Sequence, residues 1–323
     1  MGLHLRSILL VYCSLCVNVL IAQEPKIIEI RQAGGSTQDQ ERFPGANILF
    51  KSPEKRVLLF HEGALIESDQ AYFYAKDNYF RALGSVVFTQ GDSLRMTCNT
   101  IEYDGKTKTA IAIGNVDLQR PDMNLKTERL DLDRINNKAF YNTKGVIVDS
   151  ASTLTSNRGT YFMNQKKYRF TSDVTIINPD YIVNSEQLDY FTELNQAYLY
   201  GNSKIKGEAY TILCERGFYD TNNDIGHFLK NSKIYYDDRL IEGDSLYFDR
   251  NKNFASASNN IKITDTINQA IVKGHYAEVF KDKDSVFITK RALAISVQEQ
   301  DSTYIHGDTH TCIYIYMYIC IYI

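Results

Sequence analysis

The chain has 323 residues, enough for one large domain or two of ordinary size. Hydrophobic residues make up 44% of it, and 23 tyrosines and 16 phenylalanines stand beside only 5 prolines and no tryptophan, a composition that can bury a core and favours β-strands. The formal net charge of −3, without a long basic run, argues against nucleic acid as a partner.

The first 22 residues are typical of an export signal. Arg6 supplies the positive charge, Ile8 to Ala22 is mostly apolar, and the bond between Ala22 and Gln23 fits a cleavage site. A single membrane anchor is the alternative, but the apolar stretch is short for a spanning helix. We therefore expect residues 1–22 to be a cleaved signal peptide of an exported protein.

Residues 23–42 contain a Gly-Gly pair and are rich in Gln, Gly, Ser and Glu. Such a composition is typical of a loop rather than a packed element. The sequence therefore predicts a flexible lead-in over this stretch.

An internal repeat of about 29 residues organises the chain from residue 43 to residue 308. Eight short segments recur, each with an aromatic or apolar third position and each followed by residues rich in Asn, Asp and Lys, which favour turns. The third positions lie 29 to 31 residues apart: Phe73, Tyr103, Leu132, Tyr161, Tyr190, Tyr219, Phe248 and Val279.

A second strand follows each turn and often reads Gly-x-Val-x-apolar. Alternation with period two predicts that one residue of each copy faces inward. Lys204 and Lys233 lie near this site in the fifth and sixth copies, with Ile205 and Ile234 beside them, so we expect a β-bulge to shift the strand in these two copies. The predicted inward residues are Val57, Val86, Val116, Val146, Val174 and Ile261.

A small residue stands three positions before each aromatic segment. This pattern predicts a crowded corner, where the chain bends between sheets. Cys98 and Cys214 are equivalent positions four repeats apart, about 20 Å or more at a strand spacing of about 4.8 Å, so we expect two free, buried thiols. The set is Ser68, Cys98, Thr127, Ser156, Ser185, Cys214, Gly243 and Gly274.

Residues 309–323 form a low-complexity run of Thr, His, Cys, Ile, Tyr and Met. All of these residues can be encoded by strictly alternating pyrimidine–purine triplets, so a dinucleotide repeat that is read through would produce the segment. We interpret it as a non-native tail. The alternative is a genuine aromatic edge strand, which would be an aggregation hazard.

Few residues suggest chemistry. Gly-Asp-Ser-Leu occurs at 91–94 and at 243–246, and it resembles the nucleophile block of a family of serine esterases, for which Asp224 and His227 could supply an Asp-x-x-His. Each copy enters a strand of the repeat, so a Gly-Asp turn is the favoured interpretation and an esterase using Ser93 or Ser245 is a remote alternative. We predict no catalytic residue, no cofactor and no metal site.

These patterns together predict an all-β fold. We expect an elongated β-jellyroll or solenoid-like stack of about eight repeats over residues 43–308, as one array or as two consecutive modules. Stretches such as Gly84–Phe88, Asp92–Asp104 and Gly114–Leu118 resemble the OstA-like (organic solvent tolerance) family. That family includes the periplasmic bridge of lipopolysaccharide transport and the N-terminal domain of its outer-membrane translocon.

The resemblance covers about residues 43–308 and implies a β-jellyroll whose interior is an apolar trough. It also implies a periplasmic location with possible outer-membrane association, lipopolysaccharide as ligand, and inner- and outer-membrane transport proteins as partners by strand addition. Head-to-tail homo-oligomers are a further implied possibility, and an enzymatic activity is not implied.

An apolar trough would suit acyl chains, because each exposed CH₂ costs about 0.8 kcal/mol in water. The alternative role for any one such residue is to fill a closed core. The rival function is accordingly a structural or adhesive β-solenoid with a solid core. The candidate lining residues are Phe88, Val116, Leu118, Val146, Val148, Val174 and Ile176.

Overall fold

A computed structural model describes residues 27–208, 210–236, 238–280, 285–297, 301–313 and 320–321. The predicted signal peptide, residues 1–22, lies outside the described residues. Among the described residues there are twenty-five strands, all paired antiparallel in one sheet, and two single-turn 3₁₀ helices, Ala75–Asp77 and Met163–Gln165. The predicted all-β class is confirmed.

The strands of the first half are mostly short. They are β1 (Glu29–Gln32), β2 (Gly35–Thr37), β3 (Asn47–Phe50), β4 (Val57–His61), β5 (Ala64–Ser68), β6 (Gln70–Tyr74), β7 (Tyr79–Gln90), β8 (Leu94–Asp104), β9 (Thr109–Gln119), β10 (Asn124–Asp133), β11 (Lys138–Tyr141), β12 (Gly145–Val148), β13 (Thr153–Ser156) and β14 (Arg158–Phe162).

The strands of the second half, apart from the two-residue β25, are longer and follow one another as hairpins. They are β15 (Lys167–Ile177), β16 (Tyr181–Phe191), β17 (Gln196–Gly207), β18 (Tyr210–Asp220), β19 (Ile225–Tyr236), β20 (Arg239–Asp249), β21 (Phe254–Asp265), β22 (Ala270–Phe280), β23 (Ser285–Val297), β24 (Ser302–Ile313) and β25 (Cys320–Ile321).

The sheet folds lengthwise at one line, which we call the corner. Where two long strands pair, the register shifts in the middle of the pair, as in β15–β16 between Thr171 and Val174. Two consecutive residues with left-handed backbone produce the bend in one strand of most of these pairs, for example Gly114 with Asn115 in β9. Each long strand thereby contributes one segment to each of two facing half-sheets, and the buried clusters draw residues from both. This is the predicted jellyroll.

The corner is packed by the small residues that the repeat predicted. Each pairs with the inward residue of its own hairpin, as Ser68 does with Val57 and Cys98 with Val86. Ser68 and Val57 are fully buried, and Cys98 and Cys214 are buried free thiols. The predictions of a crowded corner and of two free, buried cysteines are confirmed.

The expected bulge in the fifth and sixth copies is present, but it is not special to them. The inward site there is held by Ser203 and Ser232, both buried, while Lys204 and Lys233 face outward. The same register shift occurs in strands with valine at the site, because every long strand must turn the corner. Ser203 and Ser232 thus take the place that valine has elsewhere.

The stretch predicted as a flexible lead-in, residues 23–42, contains two short strands within its described part. β1 pairs with β4, and β2 pairs with β3. Ile28 is 3% exposed and joins the first core cluster. The two strands are too short to show period-two alternation, and their stability comes from pairing with neighbouring strands of the sheet.

The low-complexity run at the end of the chain continues the fold in part. Residues 309–313 complete β24, which pairs with β23, and β25 pairs with β24. Whether this tail belongs to the natural protein stays a prediction.

Candidate functional site

One row of apolar residues, aliphatic except for Phe88, crosses the half-sheet that contains β4, which we call the aliphatic half. Each member is the direct cross-strand partner of the next, over eighteen of the described strands. Paired residues in a sheet share a face, so the row is a single stripe. This aliphatic row consists of Leu59, Ile66, Phe88, Met96, Leu118, Leu125, Ile147, Leu154, Ile176, Val183, Ile205, Ile212, Ile234, Ile241, Ile263, Val272, Ala294 and Ile305.

A second row crosses the facing half-sheet, the aromatic half. All eight third positions of the repeat lie in it, so the predicted phase is confirmed. Smaller side chains separate many of the rings, and Tyr161 and Tyr168 stack with centroids 4.4 Å apart. This aromatic row consists of Phe73, Phe80, Tyr103, Ala110, Leu132, Ala139, Tyr161, Tyr168, Tyr190, Ala197, Tyr219, Gly226, Phe248, Ala255, Val279 and Val286.

The two rows face each other across an interior that we call the trough. Its packing changes along the stack. Near the N-terminal end Leu59 and Phe80 are both fully buried in the same cluster. From β12 onward several inward residues are only partly buried, among them Ile147, Ile176 and Ile205, although they still pack on the clusters. On the aliphatic row, four of the six residues from Leu59 to Leu125 are buried, with Phe88 and Leu118 partly buried, whereas one of the five from Ile147 to Ile205 is buried. The interior is therefore more accessible in the second of these stretches.

The turns at the two free edges of the half-sheets form lips along the trough. Tyr181 and Tyr210 lie on the lip of the aliphatic half, opposite Tyr190 and Tyr219 on the lip of the aromatic half. Burial raises the pKa of Tyr168 to about 12 and also raises the pKa values of Tyr181, Tyr190 and Tyr219. These phenols consequently stay protonated and can donate hydrogen bonds at the boundary between apolar interior and solvent.

The predicted lining residues fall into three groups. Phe88, Leu118 and Ile176 lie on the aliphatic row, facing the trough. Val116 and Val174, each 1% exposed, lie at the packed corner. The placement of Val146 and Val148 on the inner face is wrong, because these residues pair with Lys126 and Asn124 on the outer face, and Val148 is 45% exposed.

The reason for the error at Val146 is a substitution within the corner. Gly145 pairs with Ser156 at the inward site, and the buried ring of Tyr141 fills the space that a valine would occupy. A Cβ atom on Gly145 or on Gly159 would collide with that ring. The Tyr141 hydroxyl shares a 2.7 Å hydrogen bond with the Ser156 hydroxyl. Ile147, two residues after Gly145, is consequently the inward residue that the sequence pattern did not reveal.

The described residues show one of the contacts that the remote esterase interpretation requires, but not an oxyanion hole or a free Asp-x-x-His arrangement. Ser245 Oγ and His227 Nε2 are 2.8 Å apart on the outer face. Ser245 sits inside β20, which is paired on both sides, so its backbone is committed to the sheet and offers no oxyanion hole. Asp224 accepts a hydrogen bond from Tyr219, and Ser93 lies in the turn between β7 and β8.

Metal ligands and membrane-spanning helices are the remaining features that could indicate a function. The described residues contain no group of three or more His, Cys, Asp or Glu side chains that could hold a metal ion. Within the same part of the chain, no helix has the length and apolar character needed to cross a membrane.

Comparison with known proteins gives one family. The model of the family described as OstA-like protein matches residues 26–186. Among solved structures, the chain is similar to LptH from Pseudomonas aeruginosa, described as the LptA-homologous periplasmic component of the lipopolysaccharide transport device, with 15% identity and a TM-score of 0.30 over 32% of this chain and 79% of that chain. No curated protein matches the chain.

Proposed function

Residues 26–186 belong to the OstA-like family, and from this premise we propose that the protein binds lipopolysaccharide in the trough and carries it across the periplasm. The acyl chains of lipid A would lie against the aliphatic row. Transport would then need no catalytic step from this chain, and the energy for it would come from another component of the pathway.

The observation that carries the proposal is the continuity of the aliphatic row. A lipid carrier must offer apolar contact along the whole acyl chain, because each CH₂ left in water costs about 0.8 kcal/mol. From Ile147 in β12 to Ile205 in β17 the row crosses four strand spacings of about 4.8 Å, or about 19 Å of uninterrupted aliphatic surface. The partial exposure of Ile147, Ile176 and Ile205 is consistent with a surface that acyl chains can reach.

The lips suit the other end of such a ligand. The tyrosines there combine an apolar ring with a hydroxyl that stays protonated, which fits the junction between acyl chains and a sugar headgroup. Polar and charged residues of the turns, including Arg120 near Tyr168, lie on the solvent side of these tyrosines. We expect the headgroup to remain at the lips, in contact with solvent.

The ends of the stack offer the route to partners. A β-strand at the edge of a sheet presents unpaired backbone groups that another chain can pair with. We propose that inner- and outer-membrane transport proteins, or further copies of this chain head to tail, add strands at the N-terminal and C-terminal ends. The lipid path would then be continuous from one trough to the next.

Lipid carried by the purified protein tests this function against the rival of a solid scaffold. The protein would be isolated from a lipopolysaccharide-producing cell, and lipid A would be quantified by mass spectrometry. We expect lipid A with the wild type, about a tenfold loss in Ile176→Glu, where a charge enters the aliphatic row, and retention in Thr175→Glu, whose position faces outward. A folded wild-type protein free of lipid would favour the scaffold.

A further inference from the structure

A group of four polar residues joins the two lips at the N-terminal end of the trough. His61 ends β4 on the aliphatic half, and Tyr103 belongs to the aromatic row of the opposite half. The Tyr103 hydroxyl and Nδ1 of His61 are 2.9 Å apart and share a hydrogen bond. Both residues are buried, with 4% and 8% of their surface exposed. The bond therefore crosses the interior, where water competes little for either partner.

An ion pair lies directly outside this hydrogen bond. Glu62, in the turn after β4, accepts from Arg134 of the opposite lip at 2.7 Å, and Lys108 of that lip is 3.9 Å away. The Glu62 side chain is only 15% exposed. Arg134 also interacts with the Tyr103 hydroxyl, so the hydrogen bond and the ion pair form one connected group. We call His61, Glu62, Tyr103 and Arg134 the clasp.

Equivalent tyrosines further along the aromatic row bond differently. Tyr190 donates to Asn195 at 3.1 Å, and Tyr219 donates to Asp224, in both cases within the same lip. The clasp also lies over a closely packed part of the interior, since the Phe80 ring beside Tyr103 is fully buried. The three tyrosines thus hold the same position in the repeat, but of these three hydroxyls it is that of Tyr103, at the N-terminal end, that bonds across the trough.

We propose that the clasp closes the trough over β4 to β10, so that acyl chains occupy only the compartment that begins at β12. This inference rests on the proposed function. It adds the part of the trough that the acyl chains occupy and the residues that mark the N-terminal boundary of that part. The clasp residues determine the length of aliphatic row that a lipid can use. Opening the clasp would extend the compartment toward the N-terminal end.

Photo-crosslinking at two positions of the aliphatic row tests the clasp. A photoreactive amino acid would replace Met96, within the clasped segment and 7% exposed, or Ile176, beyond it, in the full chain in a lipopolysaccharide-producing cell. We expect lipid adducts at position 176 and none at position 96. In Tyr103→Phe, which removes the hydroxyl that bonds to His61 across the trough, adducts at position 96 should appear at about ten times the background.

Two more variants complete the experiment. Tyr190→Phe is the matched control, because it removes the same hydroxyl from a bond within one lip, and it should leave position 96 silent. Glu62→Gln weakens the ion pair with Arg134 and should have the same effect on position 96 as Tyr103→Phe. It therefore tests the clasp even if the Tyr103→Phe protein does not fold.

The outcomes separate the clasp from the function. Adducts of equal yield at positions 96 and 176 of the wild type would overturn the clasp and leave the carrier function standing. Silence at position 96 in both folded clasp variants, with adducts still present at 176, would also overturn it. Silence at both positions in the folded wild type would count against the carrier function itself.

Discussion

Val146 and Ile147 are neighbours in β12 that face opposite sides of the sheet. Ile147 pairs with Leu125 and Leu154 and lies on the aliphatic row. Val146 pairs with Lys126 and Thr155, on the face turned away from the trough. Because strand side chains alternate with period two, this single register decides which residues a ligand in the trough could touch.

The Tyr141 ring should make Gly159 intolerant of even a small side chain. Gly159→Ala would place a Cβ atom against the buried ring, so we expect the free energy of unfolding to fall by about 2 kcal/mol. Urea denaturation measures the change. Gly243→Ala is the comparison for the general cost of replacing a glycine, since its backbone is not left-handed and its Cβ would come no closer than 3.2 Å, to the Leu246 side chain. An equal loss in both variants would mean that Tyr141 does not fill the corner as described.

The left-handed corner predicts a stabilising substitution at Lys230. Its φ of 62° is unfavourable for a residue with a side chain, and Gly84, Gly114 and Gly201 hold the equivalent place in other strands. Lys230→Gly should raise the free energy of unfolding by up to about 1 kcal/mol. Lys204→Gly, at an outward position within β17, should lower it by about 0.5–1 kcal/mol. A destabilised Lys230→Gly protein would contradict the bend at this residue.

The buried thiols should be unreactive in the folded protein. Burial raises the pKa of Cys98 and of Cys214 to about 11, from 9.0 for an exposed thiol. Between pH 9 and pH 11 the unfolded chain has lost the thiol protons, whereas the folded protein still keeps them. The free energy of unfolding should therefore fall as the pH rises from about 9 to about 11. Labelling of single-cysteine variants with a thiol reagent at pH 8 should be slow, and fast after denaturation. Rapid labelling of the native protein would contradict their burial.

The ion pair between Arg169 and Asp189 should contribute more to the free energy of unfolding than most ion pairs of the surface. Asp189 is 3% exposed and accepts two hydrogen bonds from Arg169, at 2.8 and 2.6 Å. Arg169→Met would leave a buried carboxylate with Lys167 at 3.7 Å, and we expect a loss of about 3 kcal/mol in thermal or urea unfolding. Lys106→Met, which removes a lysine from the likewise exposed Asp77, should cost less than about 1 kcal/mol. Similar losses in the two variants would refute the distinction.

The repeat was predictable because each copy carries the same residue types at the same phase. The aromatic third positions and the small corner residues follow from that phase, and Cys98 and Cys214 with them. The family resemblance rested on the same runs of residues. These features needed only local pairing rules, which one copy after another repeats.

The features that were not predictable depend on contacts between distant residues. Gly145 takes the inward site because Tyr141 fills it, and no pattern around Val146 records that exchange. The clasp joins His61 to Tyr103 across 42 residues of chain, and β1 is held by its pairing with β4. How deeply each inward residue is buried depends on such packing, which alternation alone does not specify.

The carrier account is tested most directly by photo-crosslinking at positions 147 and 146 in a lipopolysaccharide-producing cell. The two positions are adjacent in sequence and differ in the face that they present. The account predicts lipopolysaccharide adducts at 147 and none at 146. Silence at both positions in a folded, exported protein, or adducts of equal yield at both, would contradict lipid binding in the trough.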